Sequence, residues 1–89
     1  MAKFVATFNY ADMEKRAEAR PRHLDYLRQL YAEGKLHEAG AFADQRGAMI
    51  IYEAATEELA RALLDADPYT QAGVTSDVQF REWNMVIPG

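Results

Sequence analysis

The chain has 89 residues, 49% of them hydrophobic and 27% charged, with a formal net charge of −4. That is one small globular domain whose acidic balance argues against nucleic acid as a partner, since phosphate binding needs a basic face. It has no cysteine, which excludes disulfides, thiolate metal sites and a cysteine nucleophile and favours a cytoplasmic setting.

The N-terminal "MAKFVATFNY" shows no signal-peptide pattern, and no apolar run is long enough to span a bilayer. Within it Phe4, Ala6, Phe8 and Tyr10 alternate with smaller or polar residues, which predicts a strand. Asp12 is placed to cap a helix through "MEKRAEARPRHLDYLRQLYAE", with Gly34 as its stop. Pro21 inside that span predicts a kink or a restarted helix. "LHEAGAF" and "GAMIIYEA" read as a strand pair joined by the turn "ADQR". Thr56, with Glu57 and Glu58 behind it, starts a second helix with the stripe Leu59, Ala62, Leu63 and Ala66. Pro68 ends that helix, and "SDVQFREWNMVI" is the last strand.

The order is β-α-β-β-α-β, an α+β, ferredoxin-like fold with two helices on one face of an antiparallel sheet. The other face should be polar in a monomer. Instead Trp83, Met85 and Ile87 alternate with Val78, Phe80 and Val86, and Met49 and Ile51 with Ala48, Ile50 and Tyr52. Two apolar faces need two covers, so a homodimer packed sheet to sheet is expected.

His23 stands inside the leucine stripe of the first helix. At about 100° per residue, Leu24, Leu30 and Tyr31 lie within about 60° of Leu27, His23 at about 40° and Arg20 at about 20°. A satisfied core histidine is the plain reading. General acid–base work is the sharper one, because histidine titrates near neutrality. A metal role is disfavoured, since His37 has no ligand spacing to it. A serine nucleophile is weaker still, Ser76 lying in no elbow motif.

A buried imidazole needs a partner, and geometry nominates Asp67. Parallel helices would place His23 and Asp67 each about 15 Å along. The competing reading makes Asp67 a turn residue ahead of proline. Arg20, predicted on the buried stripe, needs a counter-charge from Asp67 or from an anionic ligand. Arg16 and Arg22 read as solvated cations. Phe42, Tyr69 and Trp83 are aromatics available to line a pocket or to fill core and interface.

"ARPRHLDYLRQLYAEGKLHEAGAF" with "LLDADPYTQAGVTSDVQFREW" resembles the YCII-related (YciI-like) family, through R-P-x-H-L, E-G-x-L-x-x-A-G and a-D-P-Y-x-x-A-G-v. The resemblance covers nearly the whole chain, 1–89 as one domain. It departs at Ala41, where the family has proline, and in the short "ADQRG" turn; both bear on the pocket rim. It implies a dimeric α+β barrel with an active site on a His–Asp pair, here His23 and Asp67; no cofactor or metal is expected. Some members are linked to removal of halide from chlorinated hydroxy-aromatics, and the wider superfamily includes lactone isomerases and cofactor-independent monooxygenases.

The expected function is therefore a small lyase or isomerase acting on a compact anionic or hydroxy-aromatic metabolite. His23 and Asp67 would do the acid–base work, and Arg20, Phe42 and Tyr69 would bind substrate. The alternative is a non-catalytic dimer that binds a metabolite or serves as an accessory module.

Overall fold

A computed structural model describes residues 1–88. The elements run β1 (Ala2–Tyr10), α1 (Met13–Ala32), β2 (Leu36–Ala41), β3 (Gly47–Ala54), α2 (Glu57–Asp65), a one-turn α3 (Pro68–Gln71) and β4 (Thr75–Trp83). The four strands form one antiparallel sheet in the order β2-β3-β1-β4. This is the ferredoxin-like arrangement, the subunit fold of dimeric α+β barrels.

Local chemistry sets most boundaries. The Asp12 carboxylate accepts from the amides of Glu14 and Lys15 at 3.0 Å, and Thr56 Oγ1 accepts from Leu59 N at 3.2 Å. Each satisfies amides that a helix start leaves open. Gly34, at φ +76°, turns the chain out of α1. At Gly47 the backbone of β3 comes so close to β1 that a Cβ would land on the Phe8 carbonyl oxygen.

Four expectations are corrected. First, α1 does not restart at Pro21 but is one unbroken helix from Met13 to Ala32. Pro21 is exposed, so the Ala17 carbonyl it deprives of a donor can turn to water.

Second, the buried face of α1 is Ala19, His23, Leu27 and Leu30, while Tyr31 and Arg20 are exposed and Leu24 is only half-buried. The face is centred on His23, with Leu30 about 20° away and Ala19 and Leu27 about 40° away. Ala19 lets the helix approach the core closely, and that rotates Arg20, Leu24 and Tyr31 outward.

Third, α2 buries Ala60 and Leu64, with Leu63 half-buried, while Leu59, Ala62 and Ala66 are exposed. A small residue again makes the close approach, and the stripe sits one position later than predicted. Fourth, β4 ends at Trp83, short of "NMVI". Trp83 pairs with Lys3, and β1 begins at Ala2, so the strand runs out of a partner.

The core lies between the helices and the sheet: Phe4, Ala6 and Phe8 of β1, Ile50 and Tyr52 of β3, and Phe80 of β4 meet Ala19, Leu27, Leu30, Ala60 and Leu64. Strand register places Lys3, Val5, Thr7, Met49, Ile51, Glu53, Gln79, Arg81 and Trp83 on the opposite face. That face is more polar than expected. Ile51 is buried, Val5 and Met49 are half-buried, and Lys3 and Glu53 pair across it at 3.2 Å. Trp83 therefore stands on the face away from His23.

Candidate functional site

The two segments far apart in sequence do meet. His23 Nδ1 lies 2.7 Å from Asp67 Oδ1, with the side chains only 7% and 1% exposed. The route differs from the one expected. Asp67 is not on a helix parallel to α1; it is the corner residue between α2 and α3, in extended conformation, and caps α3 by accepting from Tyr69 N at 2.8 Å. Pro68 occupies the first helical turn, so it opens α3 as well as closing α2. Both readings of Asp67, turn residue and histidine partner, hold together.

The corner is clamped. Thr70 Oγ1 donates to the Leu64 carbonyl at 2.7 Å, and Gln71 Nε2 donates to the Asp65 carbonyl at 2.8 Å. The second bond satisfies a carbonyl left open at the end of α2, the first adds to the bond that Leu64 already accepts from Asp67 N at 3.1 Å, and both fix α3 against α2. The ring of Tyr69 lies flat on the His23 imidazole, centroids 3.6 Å apart and planes within 2°, and meets Tyr10 edge-on at 6.2 Å. The imidazole is thus held by a carboxylate in its plane and a phenol ring on its face.

This network assigns the proton to Nδ1, since Oδ1 accepts from both His23 and the Tyr69 amide. Nε2 has no partner among the described residues and is not sealed from solvent. An imidazole with Nδ1–H on a carboxylate and a bare Nε2 can accept a proton there.

Asp67 Oδ2 and the Tyr52 hydroxyl are both sealed and unpartnered. Burial raises the pKa of Tyr52, and the nearby Asp67 charge raises it further. Tyr26, whose hydroxyl donates to the Leu63 carbonyl at 2.6 Å, is raised by burial and then by Asp67. Both phenols stay protonated around the carboxylate.

The other candidates are less concentrated. Arg20 and Phe42, 44% exposed, line a groove of about 460 Å³ with Arg16, Ala41, Ala43 and Gln45. His23 and Tyr69 are not among its walls. The link between the two places is electrostatic: burial raises the Tyr69 pKa, and the charges of Arg16 and then Arg20 oppose that rise. Ala41 and the short turn, the two departures from the family pattern, do form part of the groove wall.

Arg16 is the residue that sequence reasoning missed. Seven positions before His23, it lies about 20° away on the same helix face, nearer its centre than Arg20 at about 60°. Its guanidinium carbon sits 4.3 Å from the centroid of the Tyr10 ring. The i, i+7 spacing to His23 was the available signal. Among the described residues no three His, Cys, Asp or Glu cluster as a metal site, and no helix is long and apolar enough to cross a membrane.

Known proteins share both the pattern and the shape. The YCII-related domain profile matches residues 2–84. The chain is 37% identical to the protein YciI of Escherichia coli O6:H1, covering 84% of this chain and 87% of that one. It is 33% identical, with the same coverage, to an uncharacterized protein of Haemophilus influenzae. In structure it is similar to 5-chloro-2-hydroxyhydroquinone dehydrochlorinase from Burkholderia phenoliruptrix, solved in complex with 2,5-dihydroxybenzoquinone. The TM-score is 0.82 at 22% identity, with 97% of each chain covered. An antibiotic biosynthesis monooxygenase shares the fold at TM-score 0.61 and 15% identity, over 97% of this chain and 99% of that one.

Fold and pattern together define a ferredoxin-like α+β domain with a buried His–Asp pair. The chain belongs to the YCII-related family.

Proposed function

We propose that the protein is a small enzyme that moves a proton on a compact ring compound, in an elimination, dehydrohalogenation or isomerisation. The observation that carries this reading is the sealed 2.7 Å contact between His23 and Asp67, with His23 Nε2 left free. Nε2 takes a proton from a substrate C–H or O–H, and Asp67 stabilises the imidazolium that results. In an elimination the electron pair released by deprotonation expels the leaving group as an anion. In an isomerisation the same proton returns at another atom. Tyr69 keeps the imidazole plane fixed through both steps. Such acid–base catalysis supplies about 10²–10⁴-fold.

The dehydrochlorinase supports the choice of chemistry, since it shares this fold over 97% of its length. Arg20 and Phe42 are proposed to meet the substrate, with Tyr69 as the wall beside His23. Residues 1–89 act as one domain, placed in the cytoplasm. A homodimer would cover the apolar centre of the open sheet face formed by Val5, Met49 and Ile51.

The test is turnover on a panel of chlorinated hydroxy-aromatics and lactones. His23→Gln should reduce kcat at least 100-fold while leaving the unfolding midpoint near wild type. Conversion of no panel member by wild type, or retention of rate by His23→Gln, would refute the proposal.

A further inference from the structure

Resting on that reading, we infer that Arg16 and Arg20 form an anion subsite that selects ring substrates bearing a carboxylate. Three observations converge. Both arginines line the same groove of about 460 Å³, beside Phe42. Neither has a carboxylate within 4 Å among the described residues, although Glu18 stands between them on the same helix and Asp44 lies in the loop that supplies the groove's other wall. The Arg16 Nε is a sealed donor with no acceptor. Sealed, that nitrogen does not itself meet a ligand, but the protein leaves the cation uncompensated, and a planar oxyanion is the group whose geometry matches the fork of the two terminal guanidinium nitrogens.

Placement joins this subsite to the imidazole. Arg16, Arg20 and His23 are successive projections from one rigid helix, with Arg20 about 4.5 Å and Arg16 about 10.5 Å from His23 along the axis. Tyr69 bridges them: its ring lies on His23, and both guanidinium charges act on it. Tyr10, under Arg16, holds that side chain against the wall. Phe42, part of the same wall, offers a flat apolar surface to the ring that carries the anion. The groove is therefore suited to hold the carboxylate of a ring acid at the arginines; His23 is not one of its walls, so the ring must extend past Tyr69 to meet it.

The subsite is tested by binding alone, with benzoate as probe and benzamide as its neutral isostere, followed by calorimetry on the full chain. Wild type should bind benzoate at least 10-fold more tightly than benzamide. Arg16→Gln and Arg20→Gln should each weaken benzoate about 10-fold or more and leave benzamide unchanged, and Arg16→Lys should recover only part of the loss. His23→Gln should keep benzoate binding within threefold, because the anion does not sit on the imidazole.

Equal affinity of wild type for benzoate and benzamide overturns the inference without any variant having to fold. So does wild-type benzoate binding by Arg16→Gln. The two proposals fail separately: benzoate bound but no panel compound turned over leaves the subsite standing, and turnover of neutral rings uninhibited by benzoate removes the subsite alone.

Discussion

Replacing Asp67 separates its structural work from its charge. Its Oδ1 accepts from His23 Nδ1 at 2.7 Å and from Tyr69 N at 2.8 Å, all within a corner that is almost fully buried. Asp67→Ala removes the cap of α3, costing about 1 kcal/mol. It also strands the imidazole nitrogen in the core, costing about 1–3 kcal/mol more. The sum of about 2–4 kcal/mol is a large part of the about 5–15 kcal/mol that holds a small domain together. Asp67→Asn keeps an oxygen for both donors and removes a buried charge. Its new amide protons fall where Oδ2 has no partner, so a loss of about 1 kcal/mol is expected. Urea unfolding at one fixed chain concentration measures both, and the ¹⁵N shifts of His23 report its tautomer. Nδ1–H should persist in Asp67→Asn and be lost in Asp67→Ala. If Asp67→Ala unfolds within about 0.5 kcal/mol of wild type with the tautomer unchanged, the pair does not exist in solution.

Two further substitutions probe the frame. Gly47→Ala drives a methyl group into the Phe8 carbonyl between paired strands. It should destabilise by about 3 kcal/mol, the upper end for overpacking, and an unfolding midpoint equal to wild type would refute the close approach. Tyr52→Phe deletes a sealed hydroxyl that has no partner, so stability at pH 7 should hold or rise; a loss above about 1 kcal/mol would mean the hydroxyl is bonded. Its folded pKa is raised, so below about pH 10 both states carry the proton and nothing changes. Above that, the unfolded chain ionises first. Wild type should then lose about 1.4 kcal/mol in all between pH 9 and 11 that Tyr52→Phe does not, measured by urea unfolding.

Elements were legible where the signal is local. Asp12 and Thr56 cap helices by bonds to amides two or three residues on, and a sequence displays that spacing directly. Strand β1 declares itself through Phe4, Ala6 and Phe8. The end of β4 depends instead on where β1 begins, so "NMVI" reads as strand although nothing is there to pair with it. His23 and Asp67 could be nominated because one lies on an apolar face and the other in a D-P-Y motif. The corner that joins them, with Asp67 capping a separate turn of helix, was not visible, since Pro68 reads equally well as a stop or a start.

Arg20 shows which quantity the sequence leaves open. Weighting α1 by its large apolar residues centres the face near Leu27 and draws in Leu24 and Tyr31. The folded helix is phased by its smallest buried residue instead, because Ala19 is where the backbone can come closest to its neighbours. That rotation is only about 40°, yet it moves His23 to the middle of the buried face and turns Arg20 to its rim, while Arg16, about 20° from either centre, stays on the face. Composition and charge are indifferent to the change. A helix therefore announces which residues it can offer to a site, and the small residue that sets its docking angle decides which of them arrive.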